Sequence, residues 1–189
     1  MSIISKPPAE FCGNYYSKRK YPNKHLTDQL TQDILTNKRR LCGLYAADRI
    51  TSKMDWYVER YELDFVTHII PVPNYGSNNK CKAPLLAAIL AQKIHKRTGK
   101  NIYSHYDVLK RLSKTRQQRA GQVERRLSAE TDFKISDHIK HNNNLIRNNK
   151  LLLIDDIITT GATTDVCQDL LYDNGAGTVN ILCAARTLQ

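Results

Sequence analysis

The chain has 189 residues, 41% of them hydrophobic and 25% charged, with a formal net charge of +11. That is the size and balance of one water-soluble globular domain, and it excludes a disordered or collagen-like chain. The longest apolar runs, at 85–91 and 151–154, fall far short of the roughly 20 residues that cross a bilayer, so no membrane span is expected. The first eight residues lack the charged start and long apolar stretch of a secretory signal. A cytoplasmic location is expected, and the cysteines agree with it. They stand at 12, 42, 81, 167 and 183, odd in number and without a Cys-x-x-Cys pair, so neither a disulfide framework nor a zinc site is read from them. Cys167 and Cys183 fall in apolar settings and are expected in the core.

The positive charge sits in one place. Residues 80–150 hold 17 Lys and Arg against 5 Asp and Glu, while the remainder holds 12 against 13. Within that stretch, residues 110–126 carry seven basic side chains against Glu124 alone. Such a run suits a solvated face, a nucleic-acid contact, or a mobile loop that closes on a small polyanion.

In chain order, Leu26, Leu30 and Ile34 recur at helical spacing, and Trp56, Tyr57, Arg60 and Tyr61 suggest a second, short helix. Tyr15, Tyr16 and Tyr21, set among lysines, read as residues at the edge of a core. The β-branched run 65–73, closed by Pro71 and Pro73, reads as a buried strand followed by a polar loop. Pro84 is placed to open a helix whose apolar residues continue to Gly99. A short strand is expected near 102–109, and the asparagines at 142–144 and 148–149 mark turns. His68 reads as a core or edge residue, and His138 and His141 as solvated. Leu151 to Ile154 form a buried strand, residues 155–164 the loop after it, residues 165–173 a helix, and residues 178–184 another strand. Helices alternating with continuously apolar strands imply a parallel sheet covered on both faces, whose ligands lie beyond the carboxyl ends of the strands.

The loop at 155–164 carries the chemistry. Asp155 and Asp156 follow the strand, and the turn Thr159-Thr160-Gly161 leads into a helix whose first N–H groups have no internal partner. Such a terminus with adjacent hydroxyls binds anions, and Gly161 lets the backbone approach closely. Adjacent carboxylates call for hydroxyl donors, a cation or both, so a sugar diol with a divalent metal nearby suits them. A diol at one end and a phosphate at the other describes a ribose 5-phosphate. A nucleotide hydrolase would need a Gly-x-x-x-x-Gly-Lys-Ser/Thr loop, which the chain lacks. A purely structural strand and capped helix is the remaining alternative. Gly175-Ala176-Gly177 follows a helix and precedes a strand, the reverse of the dinucleotide-binding order, so Gly175 reads as a helix C-cap.

The string from Leu152 through Asp155-Asp156-Ile157-Ile158-Thr159-Thr160-Gly161-Ala162-Thr163 resembles the binding signature of the type I phosphoribosyltransferases. Ile70-Pro71-Val72-Pro73, Lys114-Thr115-Arg116-Gln117-Gln118, Arg125-Arg126 and Phe133 extend the resemblance to the ComF-like, competence-associated branch, though that branch's N-terminal cysteine pairs are absent. The resemblance implies a three-layer α/β fold with a mainly parallel sheet over residues 65–189 and a flanking or hood element over residues 1–64. It implies magnesium-dependent transfer of the phosphoribosyl group of 5-phosphoribosyl 1-diphosphate to an acceptor. Asp155 and Asp156 would hold the ribose hydroxyls and Mg2+, and Ile157, Thr159, Thr160, Gly161, Ala162 and Thr163 the sugar phosphate. Pro73, Asn74, Tyr75 and Gly76 would face the diphosphate, with Lys114, Arg116 and Arg119 closing over it. It also raises an alternative: a non-catalytic accessory or regulatory protein of DNA uptake, contacting nucleic acid through residues 80–150. A homo-oligomer is compatible with either.

Overall fold

The computed structural model describes residues 6–38, 43–74, 82–112, 132–141 and 143–188. Its centre is a parallel sheet in the order β1 (Ala9–Phe11), β8 (Thr178–Thr187), β7 (Lys150–Ile158), β3 (His68–Pro71), β4 (Tyr103–Ser104), and β2 (Asn14–Tyr15) adds to the same edge of β8 as β1. The central strands are apolar throughout because both faces are covered. Along β7 the side chains alternate: Leu151 and Leu153 join one apolar cluster, Leu152 and Ile154 the other.

The first cluster, around Leu152 and Ile154, is roofed by α2 (Gln29–Asn37), α3 (Leu44–Arg60) and α4 (Ala83–Thr98). The second, around Leu151 and Leu153, is closed by α6 (Ala162–Asp173), with α5 (Asp137–His141) and an antiparallel pair, β5 (Leu109–Arg111) with β6 (Phe133–Ile135). The result is helices, sheet and helices in three layers. Cys167 and Cys183 are fully buried in the second cluster, as their apolar settings foretold. No helix among the described residues is long and apolar enough to cross a membrane.

The helix boundaries follow local chemistry. Pro84 stands in the first turn of α4, and Gly99, at φ 72°, ends it by donating its N–H to the His95 carbonyl. At the end of α6, Gly175 takes φ 91° and donates to the Tyr172 carbonyl while Ala176 donates to that of Leu171, which is a Schellman motif.

Near the N-terminus the structure differs from the sequence reading. Leu26, Leu30 and Ile34 do not share one helix, because Asp28 is extended and its carboxylate accepts from the Thr31 N–H at 2.8 Å, starting α2 afresh. Leu26 is left exposed on α1 (Pro22–Thr27). The expected short helix around Trp56 is the last part of the 17-residue α3. The expected strand at 102–109 is likewise two short ones, β4 and β5, in different sheets.

The described residues before 65 pack against the later part of the chain. β1 lies beside β8, the Tyr57 hydroxyl donates to Glu10 Oε2 at 2.7 Å, and Ile50 and Met54 share a cluster with Leu152. On the outer side, Arg97 of α4 clamps Asp55 of α3 and Asp64 beyond it, each at 2.9 Å. Ile50→Ala and Leu152→Ala should therefore each remove about 2–5 kcal/mol from one shared urea transition followed by circular dichroism and Trp56 fluorescence. Two separate transitions would contradict this.

Candidate functional site

Strand β7 does not stop where its apolar run ends. Its pairing with β8 continues through Asp155↔Cys183, Ile157↔Ala185 and Ile158↔Arg186. The two acids are therefore inside the strand, not in the loop after it as the sequence suggested, since backbone pairing to a long neighbour outweighs the low strand preference of aspartate. Their carboxylates take different partners. Asp156, buried, turns toward α2 and forms an ion pair with Lys38 at 3.1 Å. Asp155, half-buried, turns toward α6, and its Oδ1 accepts from the Asp156 backbone N–H at 2.8 Å. Burial, and next the charge of Asp156, raise the Asp155 pKa well above the ordinary carboxylate value.

Beyond Ile158 the chain turns through Thr159 and Thr160 to Gly161, which has φ 87° and begins α6. The Gly161 carbonyl accepts from the Asp165 N–H and the Thr164 hydroxyl, both at 2.8 Å, so the turn is tied to the helix it opens. A side chain here would be strained by φ and would meet the Asp165 carboxylate at 3.4 Å. Thr159 is held from the far side by a 3.2 Å hydroxyl contact with Thr187. Next to this turn is a cavity of about 190 Å³ lined by Phe11, Thr159, Thr160, Gly161, Asp165 and Arg186, among others. Arg186 lies 5.5 Å above the centre of the Phe11 ring.

Pro73 and Asn74 stand at the same end of the sheet, because β3 is in register with β7 and the Val72 N–H donates to the Ile154 carbonyl at 2.8 Å. Tyr75 and Gly76 lie outside the described residues, as do Lys114, Arg116 and Arg119. The residues bracketing that basic stretch are described: the Leu112 N–H donates to the Asp132 carbonyl at 2.6 Å. Leu109, Phe133 and Ile135 beside them pack in the cluster that holds Val72 and Val166. Burial pushes the Cys167 thiol pKa up, the Asp155 charge adds to that, and Arg111, over the Phe133 ring at 5.3 Å, opposes it. Elsewhere in residues 80–150, Lys93, Arg97 and Lys134 are engaged by acids of the chain itself. His138 bonds Asp107 at 3.0 Å on the surface, and His68, at the start of β3 with a strand on either side, has its Nδ1 3.0 Å from His105 Nε2.

The structure brings together Asp155, Asp156, Ile157, Thr159 to Thr163, Pro73 and Asn74. It adds two residues that sequence reasoning passed over. Arg186 could have been noticed as a cation directly after an apolar strand; Lys38 carries no sequence signal that sets it apart from other helix-terminal lysines. Compared with known proteins, the sequence matches no family model and no curated protein.

The raised pKa of Asp155 fixes a sign. A carboxyl whose pKa is higher in the folded protein than in the unfolded chain favours folding while protonated, and that contribution is lost as pH rises through the folded value. Asp155→Asn, which stays neutral, should therefore leave the melting temperature unchanged at acid pH and raise it increasingly toward alkaline pH. A melting temperature lowered at alkaline pH would contradict the origin given for the shift.

Proposed function

We propose that the chain binds 5-phosphoribosyl 1-diphosphate with magnesium at the carboxyl end of β7 and transfers its phosphoribosyl group to an acceptor, as a type I phosphoribosyltransferase of the ComF-like kind. One observation carries the reading: two carboxylates and a glycine-led helix N-terminus follow one another at the open end of the central parallel strand. The carboxylates accept hydrogen bonds from ribose hydroxyls, and the first N–H groups of α6 with the Thr159, Thr160 and Thr163 hydroxyls take the 5-phosphate. Pro73 and Asn74, beyond the neighbouring strand, lie on the side open to the diphosphate.

The donor set suits magnesium. Among the described residues no three His, Cys, Asp or Glu side chains gather into a metal cage. Magnesium keeps several waters and is commonly held by one or two carboxylates plus substrate phosphates, which Asp155 and Asp156 can provide. The ion, when bound, would supply positive charge to the departing diphosphate.

As the bond from the ribosyl carbon to the diphosphate breaks, positive charge builds on that carbon and negative charge on the leaving group. No protein nucleophile is required. Asp155 and Asp156 fix the sugar by its hydroxyls and bring negative charge near the ring, while the α6 terminus anchors the phosphate so that the ring keeps its orientation. The positive charge of residues 110–126 has the sign that a diphosphate needs.

Calorimetric titration with 5-phosphoribosyl 1-diphosphate and magnesium tests this. The wild type should bind, and Asp155→Asn with Asp156→Asn should weaken binding by a factor on the order of hundreds or more, since each charge-assisted hydrogen bond contributes roughly 1.5–3 kcal/mol. Equal affinity in the double variant would mean that the acids do not hold the sugar.

A further inference from the structure

Asp156 has an acceptor role in the reading above, yet its carboxylate already has a partner. Lys38 Nζ stands 3.1 Å from its Oδ2, with only 12% of the Asp156 side chain and 35% of that of Lys38 exposed. The lysine is contributed by the turn after α2, on the opposite side of the sheet from α6 and far from Asp156 in sequence. Its backbone N–H is spent on closing α2 against the Ile34 carbonyl, which fixes the point from which the side chain reaches. The residue before it, Asn37, is wholly buried, and among the described residues neither of its side-chain amide atoms has a hydrogen-bond partner. The end of α2 thus carries two polar groups that helix stability and packing alone do not call for.

We propose that Lys38 is a positioning residue of the sugar-phosphate site: its ammonium holds the Asp156 carboxylate in the orientation from which it accepts a ribose hydroxyl. This rests on the reading of the site as one for a ribose phosphate. A carboxylate has about four acceptor positions, and an ammonium contact at Oδ2 takes one, so the pair leaves capacity for a hydroxyl. Without the lysine, the repulsion between the Asp156 and Asp155 charges would go unopposed at Oδ2 and would turn Asp156 from its present direction. The nearby ammonium also acts on Asp155, whose charged form it favours. Lys38 thereby links the N-terminal part of the chain to the acids at the end of β7.

Titrating wild type, Lys38→Met and Lys38→Arg with 5-phosphoribosyl 1-diphosphate and magnesium, and separately with inorganic phosphate, tests the role. Lys38→Met keeps the length of the side chain and removes its charge, so it should lose affinity for the sugar diphosphate by about 10–100-fold, the usual effect of removing a residue that orients a ligand-binding group. Lys38→Arg should restore binding to within about threefold of wild type, as expected where charge at that place is what matters. Inorganic phosphate, which would use only the α6 end of the site, should bind all three proteins alike. Unchanged or tighter sugar diphosphate binding in Lys38→Met overturns the proposal, and so does an arginine variant as weak as the methionine one, or a parallel loss of phosphate binding. Failure of the wild type itself to bind the sugar diphosphate overturns the underlying reading of the site, and this proposal with it.

Discussion

The continued pairing of β7 with β8 beyond the apolar core is the constraint on which the candidate site depends. Four residues of β7 are buried between two helical layers, and the strand then keeps its hydrogen bonds to β8 through Ile158. A carboxylate in a loop can turn into water. Asp155 and Asp156, held in a strand, cannot both do so, and each is kept beside its own partner. The same continuation decides where the chain turns, since Thr159 to Gly161 can only follow Ile158, and so it sets the start of α6 next to the acids.

That arrangement costs the empty protein stability. Burial first, and then repulsion from the adjacent Asp156 carboxylate, drive Asp155 toward its protonated form. Lys38 offsets part of this from across the sheet, and the Asp156 N–H offsets part from within the strand. Gly161 adds a backbone conformation that other residues adopt only with strain. A segment optimised for folding alone would replace these features with neutral side chains, as stabilised variants of natural proteins generally do. Their concentration within seven residues of one strand end, 155–161, supports the proposal of a binding site over that of a purely structural connection.

The parts of the fold that were legible in the sequence are those whose local chemistry and burial agree. Leu151 to Ile154 read as a buried strand because they are buried on both faces, and Pro84, Gly99 and Gly175 punctuate helices as their backbone preferences dictate. The parts that were not legible depend on distant partners. β1 and β2 have three and two residues with no apolar run, and they are strands only because the edge of β8 is there to pair with. Leu26, Leu30 and Ile34 read as one helix, and the division of that stretch at Asp28 comes from a single hydrogen bond from the Thr31 N–H. Asp155 and Asp156 were picked out as candidate site residues by their type, but their place inside a strand follows from pairing with β8. Lys38 and Arg186 reach the site only through tertiary structure.

Amide hydrogen exchange of the wild type, with and without 5-phosphoribosyl 1-diphosphate and magnesium, tests most directly whether the carboxyl end of β7 is a sugar-phosphate site. The account predicts slower exchange on ligand addition from Asp155 to Asp165 and at Asn74, with little change along α3 and the N-terminal half of β7. Protection confined to other parts of the chain, with these amides unchanged at saturating ligand, would contradict it.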